Sequence, residues 1–311
     1  MKKRQRKSPT PKKHRQTTAA TKKKKATTTK TMPPGPGVVW TRPPGKGPLH
    51  PEIDRVLAKP FLATVYIDPV TRCFRFPVEG RDPHILGGLH VRMVQRYFRK
   101  KKMPLRQFST GSLTMRKLPS TKQDGTRADR VLEKAIASGK PPTAEGIRGH
   151  SPYATAVWNY WKAHNHVPIL SQLPVILVAA NIATAGDYFT LHTDPETGKV
   201  TLWLWELKTG WPIVPTKKTR EIMDAPLEHV WLTPWNRWQL QVLLTKLAYE
   251  RELGMIIDGG ARVIHTWRER PFGLETYETK IRVDEPDQLD PPNWTTYTDK
   301  DVLYDSLRKK K

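Results

Sequence analysis

The 311-residue chain has one cysteine, Cys73, so no intrachain disulfide, multi-cysteine zinc site or cysteine-ligated iron–sulfur cluster can form within it. A reducing intracellular compartment fits that absence. Acids are scarce: 29 Asp and Glu stand against 54 Lys and Arg, a formal charge of +25 that directs the chain toward polyanions. No Gly-rich phosphate loop of the Walker type occurs, so ATP-driven chemistry is not expected. The basic N-terminus leads into Thr, Lys and Pro instead of an apolar stretch, and secretion is not expected either. The uncharged run 167–185 carries Pro168, Ser171, Gln172, Pro174 and Asn181, a composition that suits a buried strand and not a lipid-spanning helix. No membrane partner is expected.

What the chain does have is aromatic mass, eleven Trp among 37% apolar residues, which is enough to build a folded body. The first 50 residues read differently, as a disordered basic arm. From Lys2 to Lys30 there are thirteen Lys or Arg and no acid, followed by a Pro/Gly-rich stretch. Within it the clusters Lys2, Lys3, Arg4, Arg6, Lys7 and Lys12, Lys13 resemble a nuclear import signal, with plain DNA adhesion as the alternative. An intracellular, nuclear location is the expectation, one that would suit a eukaryotic or eukaryote-infecting viral protein.

Residues 51–119 form an accessory region. A hairpin is expected from the runs 62–66 and 73–76, then a helix over 85–101. Arg96, Arg99, Lys100, Lys101 and Lys102 give this helix either a solvated basic face or a nucleic-acid contact. Further helices are expected over 126–138 and 152–164. Strands follow at 175–179, 186–191 and 200–208, with a turn at Asp194–Lys199 between the last two. A helix over 235–253 and two strands within 255–277 complete a mixed α/β pattern around one sheet. Residues 120–290 are the expected core, and 291–311 a C-terminal segment with a basic tail.

Asp187, Glu206 and Lys208 are the candidate chemistry. In the strand 200–208, Leu202 and Leu204 lie on one face and Trp203, Trp205 and Leu207 on the other. Alternation continues the first face with Glu206 and Lys208. Two charges at the end of a buried strand are costly unless compensated. A short hairpin brings Asp187 alongside, and two carboxylates with open oxygens suit Mg²⁺ or Mn²⁺. On spacing alone, the same pattern also fits an exposed salt-bridge ladder.

The stretch Ala185-Gly186-Asp187, a turn, and Trp203-Leu204-Trp205-Glu206-Leu207-Lys208-Thr209-Gly210 resembles the paired motifs of RecB-like PD-(D/E)XK nucleases. Upstream, Gly125-Thr126-Arg127-Ala128-Asp129-Arg130-Val131-Leu132-Glu133 is similar to that family's Gly-Thr-x-x-His-x-x-Leu-Glu helix. Downstream, Trp238-Gln239-Leu240-Gln241 resembles its Gln-containing helix. The resemblance spans about residues 120–255. It implies a restriction-endonuclease-like core and a metal held by Asp187, Glu206, the Leu207 backbone carbonyl and Asp129. Lys208 is then the base or water positioner, Glu133 an auxiliary acid, and Gln239 lies near substrate. There are departures. Asp129 replaces a common His, Asp187 follows the Gly directly with Phe189 at the usual position, and Gln172 replaces a frequent Glu.

Glu133 also reads as a surface partner of Arg130 or Arg127, and Gln239 as an ordinary helix residue. His164 and His166 lie in a loop more plausibly than in a metal clip. The expected function is a metal-dependent DNA exonuclease of replication, recombination or DNA processing. The rivals are an inactive DNA-binding or packaging protein on a nuclease-like fold, and an RNA endonuclease.

Overall fold

The computed structural model describes residues 49–59, 66–67, 74–78, 81–97, 120–210, 222–268, 281–284 and 299–308. All of these belong to the unit Pro36–Lys311. The basic arm with its import-like clusters, and Arg99, Lys100, Lys101 and Lys102, lie outside the described residues.

In chain order the elements are α1 (Pro51–Leu57), β1 (Tyr66–Ile67), β2 (Phe74–Val78), β3 (Arg81–Ile85), β4 (Gly87–Gly88), α2 (Leu89–Tyr97), α3 (Ser120–Ser138) and α4 (Pro152–Ala163). Then come β5 (His166–Leu177), β6 (Ile182–Thr193), β7 (Val200–Gly210), α5 (Pro234–Leu253), β8 (Gly260–Arg268), β9 (Ile281–Asp284) and α6 (Lys300–Arg308). β1, β2 and β3 form a small antiparallel sheet.

The main sheet is mixed. β5, β6 and β7 run as an antiparallel meander, and β8 lies parallel to β7 after the crossover through α5. Two short strands extend it, β9 antiparallel on β8 and β4 parallel beside the start of β6. Helices cover both faces, so the chain is α/β with a mixed sheet flanked by helices, as the sequence pattern implied.

Each face of the sheet owns a core. On one side Leu202 and Leu204 of β7 and Phe189 of β6 pack with Leu240, Leu244 and Leu247 of α5, joined by Ile53 of α1, Met93 of α2 and Leu303 of α6. On the other, Trp205 and Leu207 pack with Val131 and Leu132 of α3 and Trp161 of α4. Alternation on β7 therefore sorts its side chains as expected, even residues to one core and odd residues to the other.

β5 starts at His166, well before the expected 175, and holds both Pro168 and Pro174. Among the described residues it pairs with β6 alone, and an edge strand tolerates residues without an N–H. At the other end of the fold, α5 is well terminated. Thr233 Oγ1 accepts from Asn236 N at 3.1 Å, Pro234 opens the helix, and Gly254 closes it at φ 62. Arg55 Nη1 and Lys59 Nζ then donate to Leu253 O at 3.2 and 2.9 Å, which places cations on the negative end of the helix.

Two further expectations shift. The helix expected from 85 begins at Leu89, because 81–85 and 87–88 are taken by β3 and β4. The C-terminal segment, read only as a basic tail, contains α6, whose Leu303, Tyr304 and Leu307 are buried. The second strand expected within 255–277 falls largely on 269–280, outside the described residues.

Candidate active site

The site lies where β6 and β7 part. Their pairing runs from Thr193↔Val200 to Tyr188↔Trp205, and the next residues in register are Asp187 and Glu206. Beyond that point β6 pairs on this flank with β4 instead. Asp187 Oδ2 accepts the N–H of Leu207 at 2.9 Å, so a carboxylate takes the place of the missing ladder partner. A strand residue turns its N–H and C=O toward the same neighbour. The Leu207 carbonyl therefore faces this fork as well.

Gly186 exists here for space. A Cβ on it would fall 2.5 Å from Leu204 Cδ1 and 3.1 Å from Tyr249 Oη. The Tyr249 hydroxyl accepts from Gly186 N at 2.7 Å and donates to Leu173 O, stitching α5 into the β5–β6 ladder next to Asp187. On the facing position of β5, Gln172 adopts φ 54, an uncommon conformation for a residue with a side chain. Its Nε2 reaches Asp187 Oδ1 at 3.3 Å. An amide at 172 donates to Asp187, which the acid common in the resembled family would do only when protonated.

Glu206 is 3% exposed. Its Oε1 accepts from Lys208 Nζ and, at 2.6 Å, from Gln241 Nε2 of α5, while Lys208 Nζ also reaches Gln241 Oε1 at 3.4 Å. Both bonds fall on one oxygen, and Oε2 has no hydrogen bond among the described residues. From the opposite helix layer, Asp129 accepts the Tyr188 hydroxyl at 2.8 Å. α3 comes this close because Gly125, one turn earlier, offers no side chain to Thr209: a Cβ there would meet Thr209 Oγ1 at 2.7 Å.

The acids strain one another electrostatically. Burial, then the charges of Glu206 and Asp129, push Asp187 well above the ordinary carboxylate range. Burial raises Asp129 to about 6 against the Tyr188 hydrogen bond. Glu133, one turn along α3, rises to about 7 through burial and the neighbouring Asp129. Burial pulls Lys208 down, but Glu206 and Asp187 outweigh it and hold the amine above its usual value. Lys208 is therefore an ammonium at neutral pH.

Among the described residues, no three His, Cys, Asp or Glu already converge as a metal cage. The donor set nevertheless fits a hard divalent cation. Asp187 and Glu206 are opposed in register, Glu206 keeps a free oxygen, and the Leu207 carbonyl faces the same fork. A cation there would relieve the repulsion that raises Asp187.

Sequence reading placed Asp187, Glu206 and Lys208 together, and they are together. Asp129 borders them, and Glu133 stands one turn further along α3 beside Asp129. The glutamine in contact is Gln241, which carries the bonds to Glu206 and Lys208. Gln239 lies about 200° away around the helix, with its Oε1 buried and unpartnered among the described residues. The signal for Gln241 was its place in Trp238-Gln239-Leu240-Gln241, but two glutamines two apart on a helix cannot be ranked without knowing which face meets the sheet. Arg96 is half-buried on α2 with its guanidinium 5.9 Å from the Tyr97 ring. His164 stacks on Tyr160, and His166 hydrogen-bonds Thr190 Oγ1 at 2.9 Å. These bonds give both histidines structural roles.

No family model, curated protein or solved structure matches the chain. Among the described residues, no helix is long and apolar enough to cross a membrane.

Proposed function

We propose that the chain is a divalent-metal-dependent deoxyribonuclease of the RecB-like PD-(D/E)XK type, with its restriction-endonuclease-like core in α3, β5 to β8 and α5. One observation carries the reading: Asp187, Glu206 and Lys208 meet at the fork of β6 and β7, with the two acids opposed in register. An ordinary surface ladder would not bury Glu206 at a point where the sheet opens.

Asp187, Glu206 and the Leu207 carbonyl would hold Mg²⁺ or Mn²⁺, with Asp129 beside them. The ion, when bound, polarises a phosphoryl oxygen and lowers the pKa of bound water. Lys208, protonated by its acidic neighbours, orients the attacking water and offsets charge developing on the phosphate. Gln241 fixes both Lys208 and Glu206, so the ammonium is aimed before substrate arrives. Gln172 and the Leu207 N–H hold the Asp187 carboxylate in place. Glu133, titrating near neutrality, is suited to exchanging a proton with solvent.

Exonuclease action in replication, recombination or processing is the preferred form, in the nucleus, with the basic arm raising affinity for DNA and making it steeply salt-dependent. The closed set of bonds among Glu206, Lys208 and Gln241 also supports a second reading, an inactive DNA-binding or packaging protein. End-labelled linear DNA incubated with Mg²⁺ or Mn²⁺ separates them. Cutting by the wild type and not by Glu206→Ala or Lys208→Ala supports the nuclease. Binding without cutting in any metal supports the second reading. Labelled RNA in the same assay tests the RNA endonuclease alternative.

A further inference from the structure

The fork gathers basic side chains that the acid site does not use. β4 lies parallel to β6 at Gly87↔Ile182 and Gly88↔Ala183, and β5 occupies the other flank of β6 along its length. β4 must therefore sit on the flank that β7 leaves. The chain beyond Gly88 runs toward Asp187 as it enters α2, so the first turn of α2, with His90 as its second residue, is delivered to the opening. The positive end of the α2 dipole lies there too.

Arg237 approaches from the other side. It lies one turn before Gln241 on α5, hence on the helix face that meets Glu206 and Lys208. α5 runs antiparallel to β7, so Arg237 continues past Lys208 toward the outer end of the strand. Its Nε is buried without a hydrogen bond, and no carboxylate pairs with it among the described residues. Burial lowers its pKa. His90 feels both neighbours: partial burial, then Arg237, then Lys208 bring it down to about 4. Three basic side chains thus gather at one opening while the acids of the site are engaged with Lys208, Gln241, Gln172 and Tyr188. A half-buried guanidinium without an anion is costly. Among the described residues nothing supplies that counter-charge.

We propose that His90 and Arg237 form a phosphate-binding subsite beside Lys208 that takes a phosphodiester oxyanion of the nucleic-acid strand next to the bond attacked. This rests on the nuclease reading for the identity of the polymer, but not for the anion chemistry. Arg237 supplies a forked charged donor and His90 a neutral imidazole N–H.

The test is DNA binding by the full chain in EDTA, where no cutting occurs, using a short labelled duplex over a range of salt. Arg237→Gln should weaken binding about tenfold and lower the salt slope by about one, the signature of one lost phosphate contact, and His90→Gln should weaken it severalfold. Because Arg237 pairs with no carboxylate among the described residues, Arg237→Gln should leave the melting temperature unchanged or raised. Arg237→Lys should recover part of the affinity. A penalty confined to 5′-phosphorylated ends would assign the subsite to a terminal phosphate; an equal penalty on 5′-hydroxyl ends assigns it to the internal chain. Unchanged affinity and slope in both variants overturns the proposal, as does a fall in melting temperature for Arg237→Gln with no binding change for His90→Gln. If the wild type never cuts DNA yet the variants lose phosphate contacts, the nuclease reading fails and the subsite stands.

Discussion

The Asp187 carboxylate accepts the Leu207 N–H at 2.9 Å across the point where β6 and β7 stop pairing. That bond commits an acid to sheet closure and keeps it beside Glu206, where burial and the neighbouring charge disfavour its ionised form. The cost has a direction in pH. The folded-state pKa of Asp187 lies above its unfolded value, so the native chain holds a proton that the unfolded chain has released. This contribution is full below the unfolded value and is lost as pH rises through the folded one.

Asp187→Asn removes that loss. Its melting temperature should exceed that of the wild type by a few degrees at pH 8 in EDTA, about the shift that 1 kcal/mol produces in a domain of this size. The gap should shrink as pH falls toward 5. Thermal melts across pH, with DNA digestion alongside, check the pair of effects: the variant gains stability and loses cutting. A variant less stable than the wild type at pH 8 would contradict the electrostatic account.

Saturating Mg²⁺ or Mn²⁺ should raise the wild-type melting temperature. At a hundredfold excess over Kd, binding contributes about 2.7 kcal/mol. That is roughly 5–10 °C in a domain of this size. Asp187→Asn and Glu206→Gln should show little of this shift, since each removes a ligand charge. Calorimetric scans with and without metal decide it.

Gln241→Ala should lower kcat/KM on DNA about 10–100-fold with little change in melting temperature, because it frees Lys208 and Glu206 from a shared brace. Gln239→Ala should have the smaller kinetic effect. A reversed order in steady-state digestion would put the wrong glutamine at the site.

Gly186→Ala should destabilise the fold by about 1–3 kcal/mol, since its Cβ would drive into Leu204 and the Tyr249 hydroxyl. Urea titration measures this. The tightest contact is with Leu204 Cδ1 at 2.5 Å, so adding Leu204→Val should recover part of the loss and adding Tyr249→Phe should not.

Much of this site was legible locally. Leu202, Leu204, Glu206 and Lys208 share a face because a strand repeats every two residues, and that holds whatever the strand packs against. The turn Asp194–Lys199 fixes the β6–β7 hairpin in the same local way: Asp194 Oδ1 accepts from both Glu196 N and Thr197 N at 2.9 Å. The choice of Asp187 over Phe189 is also consistent with composition, because Phe189 is fully buried against Tyr249.

Other features were set by distant chain. The sequence itself determined the α/β pattern, the faces of β7, and the type of chemistry that an opposed Asp and Glu with a nearby Lys can support. Only the tertiary structure decided that Gln241 and not Gln239 meets Glu206, since helical periodicity defines faces but not which of them is turned to the sheet. It likewise decided that β5 runs from His166 through two prolines, because an edge position is a property of the sheet and not of the strand. His90 and Arg237 are separated by most of the core in sequence and share an opening only because β4 takes the flank that β7 vacates. Such pairings depend on the packing of whole elements, which no local spacing encodes.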